Sequence, residues 1–276
     1  MTQDVNSDVS PARTDASAAA AVATLTRDGV VTLGDLVDPV LIERCRDAIV
    51  RDGSVAHLGA GAKWTNKERF FAAVPIAGPR ADERIFANPA VLAVAEAILG
   101  AGYELDSFGV IVSRPGAAQQ HMHSDGKLFP ATQLDRVLPA FALTFALPLV
   151  PMDAVSGTTG FVRGSHRIVD NGEEVDFAPT VPVGSGLLWD YRVRHRGLAN
   201  RGDHPRPVLF AVYCRPWWRD ALNFDGGRVC KIALPRATVD ELDPGARRLL
   251  ARAISHPDMP VAAAAQGAMT GSTLDA

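Results

Sequence analysis

The chain has 276 residues, a length that one β-barrel domain with terminal extensions fills. Its hydrophobic fraction of 47% and charged fraction of 21% are those of an ordinary globular protein, and a formal net charge of -3 offers no basic footprint for nucleic acid or an anionic membrane. Cys45, Cys214 and Cys230 are widely spaced and form no Cys-x-x-Cys arrangement, which suggests neither a disulfide framework nor a zinc knuckle and suits a reducing compartment.

Residues 1–15 are polar and rich in small side chains, without a hydrophobic period, and predict a disordered lead before a single domain over 16–255. Ala16–Arg27 predicts a helix and Gly29–Leu33 a short β-branched strand. Asp38–Val50 predicts a second helix, with apolar residues at Val40, Leu41, Cys45 and Ile49. No period runs through Asp52–Pro79, where Lys63-Trp64-Thr65-Asn66-Lys67 stands out as a polar, aromatic loop of the kind that forms lids. Pro89–Leu99 predicts an apolar helix stopped by Gly100. After Tyr103, short β-type runs bounded by Gly and Pro follow at Leu105–Ser113, Phe141–Leu149, Gly160–Val162, Gly186–Trp189 and Val208–Cys214. They predict a mainly β core over 103–218, flanked by helices. Asp240–Ile254 predicts one terminal helix and 256–276 a mobile tail. No stretch reaches the roughly 18 apolar residues of a membrane span, and the acidic start is not that of a secretory leader. The expectation is a cytoplasmic protein, monomer or homodimer, that acts on a small molecule and binds neither nucleic acid nor membrane.

Between Gln120 and Asp125 the chain reads Gln-His-Met-His-Ser-Asp.

 Strand alternation would turn His123 and Asp125 to one side, where both can bind one ion. His121 competes with His123, but only His123 has an Asp two residues on and a Gln three residues before. A third ligand must come from elsewhere, and His166, His195 and His204 are available. Arg206 favours His195. An offset of eleven residues spans a strand end, the turn Arg201-Gly202-Asp203-His204-Pro205 and the first position of the next strand, and so puts Arg206 beside His195 on the neighbouring strand. Two imidazoles and one carboxylate with open positions suit a catalytic Fe(II), Mn(II) or Zn(II), and a nearby guanidinium can clamp the distal carboxylate of a bound diacid.

These segments resemble the phytanoyl-CoA dioxygenase family of Fe(II)/2-oxoglutarate-dependent oxygenases. The likeness runs from about Gly29 to Trp218 and rests on the Gln-x-x-His-x-Asp of 120–125, on Ser-Gly-Thr-Thr-Gly-Phe-Val-Arg-Gly-Ser-His at 156–166, and on the block from His195 to Arg206. The resemblance implies a double-stranded β-helix (a cupin-like jelly roll) with Fe(II) on His123, Asp125 and His195. It implies 2-oxoglutarate held at its far carboxylate by Arg206, with Gln120 and Thr159, or the adjacent Thr158, touching the co-substrate. It also implies O2-dependent decarboxylation of 2-oxoglutarate to succinate, coupled to oxidation of a second substrate. Retention of Asp125 argues against halogenation. The chain departs from the family pattern at Arg163, where Pro usually precedes Gly-Ser-His, and at Gly197, where Ser often follows the distal histidine by two residues.

Substrate choice falls to the loops around Lys63–Phe71, Leu128–Leu138 and Trp217–Phe224. Lys63, Arg69 and Lys127 read as solvated cations rather than a binding cluster, and Trp64, Phe129, Trp217 and Trp218 as packing or pocket aromatics. Hydroxylation in secondary or amino-acid-derivative metabolism is the leading expectation. A cupin-like metalloenzyme without 2-oxoglutarate and a catalytically inactive small-molecule-binding barrel are the alternatives, and Arg206 discriminates against both.

Overall fold

The β-branched runs after Tyr103 pair with one another and also recruit partners from before it. The structure, a computed structural model, describes residues 18–51, 63–66, 68–129, 134–168, 174–220 and 232–255. Seven strands form one antiparallel sheet: β1 (Val30–Leu33), β2 (Lys63–Asn66), β3 (Arg69–Ala73), β4 (Glu104–Ser113), β5 (Ala142–Pro148), β7 (Gly186–Asp190) and β9 (Arg206–Cys214), in the order β1-β7-β5-β9-β4-β3-β2. Opposite it, β6 (Thr159–Val162) pairs with β8 (Arg194–Gly197), and single bridges from His123 to His195 and from Phe161 to Phe177 widen this smaller sheet. Two antiparallel layers enclosing one core form the expected double-stranded β-helix.

Residues directly opposite one another in a sheet share a face, so the register fixes what looks into the barrel. One row is Arg69, Ser113 and Arg206; the next is Phe71, Ile111 and Val208; a further row is Ser107, Val212, Thr144 and Trp189. The alternate residues, among them Phe70, Val112, Phe145, Leu209 and Tyr213, face outward. They are buried all the same, because helices cover that side and share a core with them. Burial on both faces explains why β5 reads as an apolar run rather than as an alternation.

The covering helices are α1 (Ala18–Asp28), α2 (Pro39–Arg51), α3 (Glu83–Phe86), α4 (Pro89–Leu99), α5 (Arg236–Glu241), α6 (Pro244–Leu249) and α7 (Ala251–Ser255). Asn88 caps α4 by accepting from the Ala90 N–H, Pro89 occupies its first turn, and Gly100 ends it at a positive φ of 81°. The single helix expected over Asp240–Ile254 is broken into pieces. Leu242 is extended, Asp243 accepts from the Ala246 N–H at 2.7 Å, and Pro244 starts a new helix because its ring cannot continue an old one.

Lys63–Asn66 is likewise not a loop. With β3 it makes a hairpin on the sheet edge, turned by Glu68 at φ 64°. The aromatic Arg69-Phe70-Phe71 stretch favours a strand once β4 supplies the partner. The lead over 1–15, the tail over 256–276, Cys230, Phe224 and the side chains of Lys63 and Trp64 lie outside the described residues.

Candidate metal and co-substrate site

His123 and Asp125 do not lie on a regular strand. His123 makes one bridge, in which its N–H donates to His195 O at 3.0 Å and the His195 N–H donates to His123 O at 2.7 Å. The ladder stops there because the Gly197 N–H goes to the side-chain Oε1 of Gln120, at 2.9 Å, rather than to a backbone carbonyl. Beyond the bridge the chain bends at Asp125, and the next residue, Gly126, donates its N–H to Tyr191 O at 3.3 Å, where a Cβ would come within 2.7 Å of the Tyr191 ring.

The bend nevertheless brings three ligand atoms together. One donor atom each from His123, Asp125 and His195 lies within 4.8 Å of the others. His123 Nδ1 is 3.0 Å from His121 O and His195 Nδ1 is 3.0 Å from Val193 O. A carbonyl only accepts, so each Nδ1 carries the proton and each Nε2 presents its lone pair. Asp125 Oδ1 is 3.4 Å from His195 Nε2, while Oδ2 accepts from Thr144 Oγ1 at 2.8 Å and Trp189 Nε1 at 3.0 Å.

Burial, with His195 nearby, pushes His123 down to about 4. Burial alone would raise Asp125, but His195 and the hydrogen bonds to its carboxylate outweigh it and hold the group at about 2. For His195, burial lowers and the Asp125 carboxylate raises; the carboxylate wins. A negative carboxylate between two imidazoles in a buried recess is a cation site by its donor chemistry, and the set fits Fe(II).

Arg206 is the first residue of β9, as its position after the turn implies, but it is not on a strand beside His195. Residues 198–205 cross from the small sheet to the large one. Asn200 fixes the crossing by donating to Ser113 O and His204 O, both at 2.9 Å, and by accepting from the Gly202 N–H. Arg206 therefore faces the histidines from the opposite wall. Its Nη2 donates to Ser113 Oγ at 2.9 Å, its Nε to Ser156 O at 3.1 Å, and its Nη1 lies 3.1 Å from Met152 Sδ. Burial, then Arg69, lowers it to about 9, which leaves it charged at neutral pH.

One cavity of about 230 Å³ is lined by His123, Asp125, His195, Arg206, Gln120 and Thr159 together. Thr158, the neighbour of Thr159, turns away and donates to Pro179 O at 2.7 Å. Of the other histidines, His166 is buried with Nε2 3.2 Å from Thr26 O, and His204 is exposed beside Asp203. His121 contributes its carbonyl to the His123 ring.

Arg69 departs from the expectation of a solvated cation. It is 1% exposed and lines the cavity. Nη1 donates to Gly197 O at 2.9 Å and Nη2 to Leu198 O at 2.6 Å, and burial lowers it to about 10. A Cβ on Gly197 would overlap this guanidinium and come within 2.6 Å of Gln120 Oε1, so a serine does not fit there. Lys127 is exposed. Trp218 packs with Phe141 and Tyr191, whereas Trp217 and Phe129 are exposed. Thr144, Trp189 and Tyr191 carry no local sequence signal; only strand register shows that they meet the site.

The profile of the phytanoyl-CoA dioxygenase (PhyH) family matches residues 25–208. The chain belongs to the phytanoyl-CoA dioxygenase family. It is an enzyme of the kind that depends on Fe(II) and 2-oxoglutarate. It is 24% identical over 197 residues to dioxygenase trt7 of Aspergillus terreus, covering 67% of this chain and 69% of that one. Among solved structures, the non-haem α-ketoglutarate-dependent epimerase SnoN from nogalamycin biosynthesis superposes with a TM-score of 0.58 at 22% identity, over 72% of this chain and 83% of that one. The carbocyclase SnoK from the same biosynthesis gives 0.52 at 18%, over 71% and 83%. At such identities these two likenesses establish the shared fold. Among the described residues no helix is long and apolar enough to cross a membrane.

Proposed function

We propose that the protein is a dioxygenase that hydroxylates a small organic molecule in natural-product or amino-acid-derivative metabolism. In this reading His123, Asp125 and His195 hold Fe(II), and Arg206 holds the distal carboxylate of 2-oxoglutarate. The observation that carries it is the single cavity with three metal-type donors on one wall and a buried guanidinium on the other. Bound iron(II) supplies the O2 activation that couples co-substrate decarboxylation to substrate oxidation.

The chain's own part is orientation and exclusion of water. Three of the five N–H groups of Arg206 are engaged, which leaves one on each Nη for a two-point grip on a carboxylate. Gln120, whose Oε1 is committed to the Gly197 N–H, offers its amide N–H groups to the co-substrate, and Thr159 its hydroxyl. Phe71, Ile111, Val208 and Phe210 line the cavity with apolar surface, which strengthens the charge interactions made there. The buried thiols of Cys45 and Cys214 fit a cytoplasmic setting.

Epimerisation or ring closure on the same donors is the second reading, favoured by the likeness to SnoN and SnoK. Succinate release from 2-oxoglutarate, screened over polyketide-like and amino-acid-derived compounds with product mass, tests both. A mass gain of one oxygen supports hydroxylation; an unchanged mass supports epimerisation and a loss of two hydrogens ring closure. Succinate formation that persists in His123→Ala would refute the ligand set.

A further inference from the structure

We propose that Thr144 and Trp189 are positioning residues that hold Asp125 as a one-oxygen metal ligand. The inference rests on the reading that His123, Asp125 and His195 bind the metal. Thr144 on β5 and Trp189 on β7 stand directly opposite each other in the large sheet. Two neighbouring strands therefore deliver a hydroxyl and an indole N–H to the same point. Both go to Oδ2 of Asp125, at 2.8 and 3.0 Å, which fills the two lone pairs of that oxygen. Oδ1 is left on the histidine side, 3.4 Å from His195 Nε2.

This orientation has to be imposed from outside, because Asp125 lies at a bend just after an isolated bridge and not on a regular strand. The donors themselves are well fixed. Thr144 and Trp189 are buried, and a buried hydroxyl or indole N–H needs an acceptor. The Trp189 ring packs 5.3 Å from the His195 ring and 5.6 Å from Phe161, so it cannot swing away without disturbing the histidine it also braces. A carboxylate free to turn could offer both oxygens to the metal and occupy a position that the co-substrate or O2 needs. With Oδ2 saturated, the protein supplies three donor atoms in all.

The test uses the full-length protein and Co(II), whose visible spectrum reports its ligand set. Wild type should bind one Co(II), and Asp125→Ala should lose it. Thr144→Val, which keeps the side-chain volume, and Trp189→Phe should each weaken binding by about 10–100-fold and alter the Co(II) spectrum. Thr144→Ser, which restores the hydroxyl, should return both affinity and spectrum to those of wild type, a rescue that a packing role alone would not produce. Should Trp189→Phe not fold, Thr144→Val and Thr144→Ser decide the matter. If wild type binds, Asp125→Ala does not, and Thr144→Val keeps wild-type affinity and spectrum, the positioning role is wrong while the metal reading stands. If Asp125→Ala binds Co(II) as wild type does, the metal reading fails and the inference with it.

Discussion

Gly197 and Arg69 form a coupled pair whose replacement has a calculable cost. A Cβ at 197 overlaps the Arg69 guanidinium and crowds Gln120 Oε1, so Gly197→Ala must push Arg69 from its place. The push sacrifices the hydrogen bonds from Nη1 to Gly197 O and from Nη2 to Leu198 O. Overpacking a filled interior costs about 1–3 kcal/mol, and each hydrogen bond to a charged group about 1.5–3 kcal/mol. The two effects describe one displacement, so they do not add fully. We expect Gly197→Ala to lose about 2–4 kcal/mol, read as a fall of roughly 5–10 °C in Tm. Because Gly197 pairs with Thr159 and donates its N–H to Gln120 Oε1, the KM for 2-oxoglutarate should rise as well. The discriminating measurement is a double-mutant cycle by urea denaturation. Arg69→Ala alone strips two carbonyls of their donor, but in the double variant it also removes the clash, so the double variant should be more stable than the sum of the singles predicts by at least about 1 kcal/mol. Additivity within about 0.5 kcal/mol would refute the coupling.

Two further outcomes follow from buried titrating groups. Burial pushes the Cys45 thiol up to about 11 and the Cys214 thiol to about 12, so at pH 8 roughly one in a thousand or fewer of these groups is a thiolate; peptide mass mapping after brief treatment with iodoacetamide should find both unmodified in folded protein and both alkylated in urea, and rapid labelling of folded protein would contradict their burial. In the metal-free protein, Asp125 sits at about 2 against an ordinary 3.8, a depressed value, so its contribution to stability is complete above 3.8 and is lost as the pH falls towards 2. A carboxyl 13C NMR titration of the metal-free protein should therefore find Asp125 still ionised at pH 3, and a midpoint at the ordinary 3.8 or above would contradict the assignment.

The sequence carried the site better than it carried the path between its parts. His123 and Asp125 are legible from one short motif and His195 and Arg206 from another, whereas the co-substrate positions of Gln120 and Thr159 are legible only through the family resemblance; all six line the cavity. What local sequence does not show is long-range. Local alternation cannot show that Gln120 would end the His123 ladder by taking the Gly197 N–H, nor that the turn before Arg206 changes sheets. Arg69 reads as a surface cation until β3 pairs with β4 and turns it inward. Thr144 and Trp189 lie in apolar runs that look like ordinary core, and their role comes from facing each other across two strands. Asp240–Ile254 reads as one helix because its helical period hides the Asp243-Pro244 start signal within it.

In the proposed reading His123, Asp125, His195 and Arg206 act together on one bound 2-oxo acid. Anaerobic addition of Fe(II) and 2-oxoglutarate, followed by visible spectroscopy, tests it most directly, since chelation of the metal by the 2-oxo acid produces a weak charge-transfer band. The expected result is the band in wild type, its absence in His123→Ala, and a sharply higher 2-oxoglutarate requirement in Arg206→Ala with Fe(II) binding retained. A protein that binds Fe(II) yet shows no band at saturating 2-oxoglutarate, or an Arg206→Ala variant with unchanged co-substrate dependence, would contradict it.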